Sequence, residues 1–370
     1  MFYFIIIILL ILLSYLSILY AFMYFSLKAE ALNNIFGFTA LFLVLFHILL
    51  FLIIMYQDSI LHNDLVPGFL FGFGFPIILN ILLLVITSLI TMLYRKNFSS
   101  NKIATYKIKV EKSVAERSKC RNDTYRKIPH VLIFVGLLIL WLISAVVIND
   151  LTGSTEGMIV ENSNIMHIYL ELLTSTGNVK DILLKLGWFY YLLFFFFYIF
   201  CMFMLFNEYT RKSRIFTYPF NFFCSIFLCE NERRSYGTYL YFAIGLMFAS
   251  FISPPMVLFS ILGICSISDL MTSQIGIRYG KRHIKWNKDK TWEGTLAGIL
   301  SAFIICFLFI GLIWALIFTL IFFIFDIFTT KPVNISDNLI VPISCGIVYF
   351  FVRFIFDLDY TITFLKLFGV

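Results

Sequence analysis

Hydrophobic positions in this chain run together instead of alternating. Predominantly apolar stretches occupy residues 2–27, 35–56, 69–94, 131–148, 182–206, 238–275, 296–328 and 339–356. A helix needs ~20 residues to cross a bilayer, so these stretches predict spans, and the two longest predict helical hairpins. Ser253-Pro-Pro is the expected turn of the first hairpin, because proline cannot continue a helix, and Gly311 that of the second. Period-two alternation is missing, which excludes a transmembrane β-barrel. The expectation is an all-α fold, a polytopic transmembrane helical bundle of about 9–10 spans.

Composition rules out a soluble protein: 61% of the residues are hydrophobic and only 13% charged, far more apolar surface than a soluble core uses. The first stretch, Phe2 to Phe25, lacks a basic start and a small-residue cleavage site. It is read as a retained helix, not a removed signal peptide. The seven cysteines are scattered, odd in number and without CxxC spacing, so neither a disulfide framework nor a zinc site is expected.

The net charge of +7 matters through its placement. Lys and Arg concentrate in 95–127, in "EYTRKSR" (208–214) and in "RYGKRHIKWNKDK" (278–290). The positive-inside rule puts all three on the cytosolic side. The acidic segment 149–181 then falls on the opposite side, and "CENERRSYG" (229–237) and "KPVNISDN" (331–338) fit the cytosolic one. The sequons at Asn97, Asn122 and Asn334 lie in these cytosolic loops and are expected to stay unglycosylated. Three regions follow: N-terminal transmembrane helices 1–94, a basic cytosolic loop 95–127, and a membrane domain 128–370. The unusual polar clusters converge on one membrane surface.

Asp269 stands inside an apolar run, where an ionisable residue costs at least ~2.5 kcal/mol unless it faces protein, water or an ion. Thr272, Ser273, Gly276 and Gly280 follow it at helical spacing and give one narrow small-and-polar stripe. Such a stripe serves either close helix packing or the close approach of a phosphate. The basic loop after it leads into "KTWEGT" (290–295). Flanking charge and lipid attraction explain the cations there but not the pattern. Thr291 is placed to cap a helix whose first turn holds Glu293 and whose free amides favour an anion that Lys290 also reaches. Glu293 would alternatively hold a Mg²⁺ bridging phosphates. Asp337 and Asn338 read alone as a polar helix start, but topology puts them on the same surface. "YRKIPH" (125–130) adds Arg126 and Lys127, ordinary as flanking charges, and His130, a weaker candidate base. Neither the Walker A motif nor the HRD and DFG motifs of protein kinases occur.

Together, "SDLMTSQIGIRYGK", "KDKTWEGTLAG" and "SDNLIVP" resemble the CTP-dependent lipid kinases: dolichol kinase, phytol and farnesol kinases and the yeast-type diacylglycerol kinase. Their shared pattern runs GDxxASxxGxxxGK, KKTxEGT, DNxxxP. Asp269, Ser273, Gly276, Gly280 and Lys281 match the first block, and Lys290, Thr291, Glu293, Gly294 and Thr295 the second. Asp337, Asn338 and Pro342 match the third, while Arg126, Lys127 and His130 match an RKxxH block. The resemblance covers residues 126–345. Ser268, Thr272 and Asp289 depart from it, and "NERRSYG" matches the dolichol-kinase DERDxG only loosely. A long N-terminal helical block nonetheless resembles dolichol kinase most.

The resemblance implies a membrane kinase moving the γ-phosphoryl of CTP to the hydroxyl of dolichol or another polyprenol, giving dolichyl phosphate for glycosylation at the endoplasmic reticulum. Alternatives are another lipid alcohol as acceptor, or the related phosphatidate cytidylyltransferase. Asp269 and Asp337 would hold Mg²⁺ or accept the hydroxyl proton, and Lys281 and Lys290 would take phosphates. Glu293 would act as ligand or orient a lysine, and His130 stands as the weaker base. Arg126, Lys127, Ser273, Gly276, Gly280, Thr291, Gly294, Thr295 and Asn338 would surround the nucleotide. The expected partners are the membrane and its lipid alcohol, with no nucleic acid.

Overall fold

The computed structural model describes residues 116–152, 188–212, 236–329 and 335–363, with isolated positions between 82 and 114 and at 226–228 and 232. The predicted spans at 2–27 and 35–56, nearly all of 69–94, and the acidic segment beyond 152 lie outside the described residues.

Among the described residues eight α-helices follow one another: α1 Lys119–Thr152, α2 Trp188–Lys212, α3 Thr238–Ile252, α4 Pro255–Gly263, α5 Asp269–Tyr279, α6 Trp292–Ile310, α7 Leu312–Phe328 and α8 Asp337–Phe356. Among the described residues no strand forms beyond one isolated bridge between His283 and Thr291. Four stretches of the described residues are long and apolar enough to cross a membrane: Lys119–Val147, Pro255–Tyr279, Trp292–Ile310 and Asp337–Phe356. The chain is an all-α helical membrane protein.

Its surface is inverted relative to a soluble bundle. Leu296, Leu300 and Ile304 on α6 and Leu316, Leu320 and Ile324 on α7 recur every four residues and are all exposed. Those stripes face outward because lipid tails accept them at no cost. The core is the aromatic interior of Trp141, Phe197, Phe242, Phe259, Trp314 and Phe318. Within it, every residue of α4 is buried, and so is α3 from Leu240 to Ser250. At 15 residues α3 spans only ~22 Å, short of the ~30 Å hydrocarbon layer, and neighbouring protein supplies the rest of its surroundings.

Both predicted hairpins are present. Ser253 ends α3, Pro254 stands at the N-cap of α4 and Pro255 is its first residue. Arg126 reaches Thr238 while its neighbour Lys127 reaches Asp269, so the start of α3 and the start of α5 share one end of the bundle. Between α6 and α7 the chain turns at Gly311, whose φ of 83° suits glycine alone. Thr295 bonds Asp326 across this hairpin at 2.6 Å. Five residues of π-helix, Ile264–Ser268, join α4 to α5 just before Asp269; such turns often sit at functional sites.

Two boundaries differ from expectation. α1 begins at Lys119, twelve residues before the apolar run at 131, so residues 119–127, expected in the basic loop, are helix. α2 likewise takes in Glu208 and Arg211, which the charge pattern had assigned to a loop. In both cases buried ion pairs extend the helix past its apolar segment.

The tightest packing joins α5 to α6. A Cβ at Gly294 would lie 2.5 Å from the Thr272 carbonyl oxygen and 2.9 Å from Gly276 Cα, both backbone. Gly294→Val should therefore cost about 3 kcal/mol and lower the thermal midpoint in detergent by several degrees. Gly136→Ala on α1, with nothing within 4 Å, should leave it unchanged or slightly raised.

Candidate functional site

A cavity of about 800 Å³ opens at the end of the bundle where α1, α3, α5 and α8 begin. The extra turns of α1 supply one wall: Lys119, Asp123, Arg126, Lys127 and His130 line it at successive turns of one helix face. The start of α5 supplies Asp269, Thr272, Ser273 and Gly276; the following loop supplies His283, Lys288, Asp289 and Lys290, and α8 adds Asp337 and Asn338.

Asp269 is only 7% exposed, and Lys127 neutralises it. The Lys127 ammonium meets Asp269 Oδ1 at 2.8 Å, donates to the Asp269 carbonyl at 2.6 Å and to Ser273 Oγ at 2.8 Å. An ammonium has three donors, and these contacts occupy all of them. Lys127, expected among the residues around a nucleotide, is placed as the clamp on Asp269. Arg126 is directed to Glu232 at 2.8 Å.

Lys290 stands between two acids. Its ammonium lies 2.6 Å from Asp326 Oδ1 and 3.8 Å from Asp337 Oδ2. Burial opposes its charge, but the carboxylates of Asp326, Asp337 and Asp269 more than offset this and hold its pKa above the ordinary lysine range. Its ion pairing is therefore intact below the ordinary pKa of ~10.4 and is lost only as pH rises through the higher folded value. Asp269, Asp326 and Asp337 also line a second, far smaller space of about 10 Å³, room for one water-sized sphere.

Several expected ligands are placed in supporting roles. Thr291 caps α6, accepting from Gly294 N at 3.3 Å as anticipated. Glu293 stands outside the cavity lining, and its carboxylate accepts the amides of Lys281 and Arg282 at 3.2 Å, pinning the basic loop. Lys281 is exposed and away from the lining. Thr295 turns to Asp326, and Gly294 is a packing glycine. Gly276 and Gly280 reach the cavity, yet a Cβ on either would press on Thr291 Oγ1, so close packing accounts for both. His130 is buried and stacked flat on Phe242, centroids 3.8 Å apart.

No three His, Cys, Asp or Glu side chains among the described residues form a metal-holding group. Mg²⁺ characteristically takes one or two carboxylates and completes its shell with phosphate and water. Asp269 and the more open Asp337 fit that pattern, and buried Thr272 Oγ1, also on the lining, has no hydrogen-bond partner among the described residues. The residues suit a cation that arrives with a phosphate ligand.

Asp326 and Asp123 stand outside the motifs that single out the other site residues. Asp326 lies in an apolar run, and the cost that marked Asp269 marked it equally. Asp123 lies in the basic segment 95–127, whose charge density signals a loop although it is helical from Lys119. The chain matches no protein-family model, no curated protein and no solved structure.

Lys127→Met should leave Asp269 buried and uncompensated, costing about 3–5 kcal/mol. Adding Asp269→Asn to it should restore most of the lost thermal midpoint, as a double-mutant cycle will measure.

Proposed function

We propose that this chain is a membrane phosphotransferase that moves the γ-phosphoryl of CTP onto a long-chain lipid alcohol, with dolichol the favoured acceptor. The observation that carries the proposal is the convergence of Asp269, Lys290 and Asp337, from three separate segments, on one cavity at one end of a membrane bundle. Phosphoryl transfer asks little covalent chemistry of a protein; it asks for positioning and for neutralisation of phosphate charge. The cytidine donor and the prenol acceptor come from the motif resemblance, as does placement at the endoplasmic reticulum in dolichyl phosphate synthesis.

In this reading Lys290 presents its ammonium to the phosphates from the cavity wall. Asp337 lies open to the cavity and takes the proton of the attacking hydroxyl. The hydroxyl oxygen then bonds to the γ-phosphorus as the bond to the β-phosphate oxygen breaks, and CDP leaves. Asp269, held by Lys127, is the second carboxylate facing the reacting groups. A bound Mg²⁺ would supply charge neutralisation on the phosphates, with Asp269 the residue to hold it while Asp337 is kept for the proton. An alcohol's high pKa makes its proton transfer productive only as the new bond forms. The exposed apolar faces of the helices leave the prenyl chain in lipid.

The test is turnover by purified protein with γ-labelled CTP and a panel of dolichol, farnesol, phytol and diacylglycerol. Label should move to a lipid monophosphate, and Asp337→Asn and Lys290→Ala should each reduce the rate about 100-fold or more. Unchanged turnover in both variants contradicts the residue roles. Pyrophosphate release with phosphatidate instead identifies a cytidylyltransferase.

A further inference from the structure

Asp326 belongs to none of the motifs, yet it is the acid nearest Lys290. We infer that Asp326 is the positioning residue for Lys290, holding the ammonium against the cavity wall in the attitude that receives a phosphate. The inference rests on the phosphotransferase reading for the ligand and on geometry alone for the pairing.

Asp326 sits in the last turn of α7 and is only 2% exposed. Both carboxylate oxygens are engaged: Oδ1 by Lys290 Nζ and Oδ2 by Thr295 Oγ1, each at 2.6 Å. Thr295 is in the first turn of α6, so the hairpin orients the carboxylate from the side opposite the lysine. A carboxylate this enclosed needs a countercharge, and Lys290 is the cation that the described residues bring to it.

The loop carrying Lys290 is docked on the same turn of α7. Asn287 Nδ2 donates to the Ile327 carbonyl at 3.0 Å, and Trp286 stacks on Phe328 with centroids 5.9 Å apart. Three successive α7 residues thus receive three loop side chains. The loop backbone closes on itself, with Ile284 N donating to Lys290 O at 3.1 Å and Lys290 N to Asn287 O at 3.0 Å. Lys290 therefore takes its position from α7. Asp337, at 3.8 Å and open to the cavity, has a different task from Asp326. One bond to Asp326 leaves the ammonium with further donors for a phosphate oxygen.

The experiment measures the dissociation constant of CTP with Mg²⁺, alongside the thermal midpoint, for the full chain in detergent. Asp326→Asn should weaken binding about tenfold or more, Asp326→Glu should recover part of the loss, and Thr295→Val should weaken it about threefold. A folded Asp326→Asn that binds like the wild type overturns the inference. Should Asp326→Asn not fold, Thr295→Val decides, and unchanged affinity there overturns it equally. Should the wild type bind no CTP, the phosphotransferase reading fails instead. The pairing is then decided by exchanging the charges, Lys290→Asp with Asp326→Lys: recovery of the midpoint lost in each single variant upholds it, and no recovery overturns it.

Discussion

Neutralising carboxylates inside an apolar bundle is the constraint on which this structure turns. Asp269 and Asp326 are all but sealed from solvent, and an isolated charge there would be far too costly to keep. Each is met by a lysine from a different segment, Lys127 in α1 and Lys290 in the loop before α6. These two pairs fasten α1 to α5 and the basic loop to α7, and they do so at the same end of the molecule. The cavity is what remains between them. Removing either cation would thus disturb both the packing of that end and its chemistry.

The rest of the architecture isolates this end. Lipid-facing stripes of Leu, Ile and Phe clothe α6, α7 and α8, while α3 and α4 are kept inside protein. Glycines at 276 and 294 bring α5 and α6 into backbone contact beside Thr291, the cap of α6. A polar network on α2 extends the same logic outward. Glu208, buried in that helix, accepts from Tyr239 and Arg211, and Arg211 donates to the carbonyl of Glu232, the partner of Arg126.

Much of this was legible in the sequence. Apolar run lengths gave the helical membrane class and both hairpins, since proline and a left-handed glycine leave chemical signatures at turns. The rule that an acid inside an apolar run must have a partner picked out Asp269. The same rule applied to Asp326 but was masked, because no motif surrounds that residue. The polar start of α1 is illegible for a different reason: its charge density resembles a loop, whereas side chains three and four residues apart form one wall of the cavity. Nor does spacing reveal that Lys127 commits all three donors to internal groups while Lys290 keeps some for the cavity. Lys127 and Lys290 look alike in sequence, and only the three-dimensional hydrogen-bond count separates the clamp from the cation facing the cavity. Glu293 shows the same limit, since its motif position is compatible with a ligand and its carboxylate instead ties down two backbone amides.

The most direct measurement is a cryo-electron microscopy map of the full chain with Mg²⁺ and a non-hydrolysable cytidine triphosphate. Phosphate density within hydrogen-bond reach of Lys290 Nζ, flanked by Asp269 and Asp337 and with Lys127 still closed on Asp269, is the expected result. Nucleotide bound elsewhere, or Lys127 and Lys290 found at opposite ends of the bundle, would contradict it.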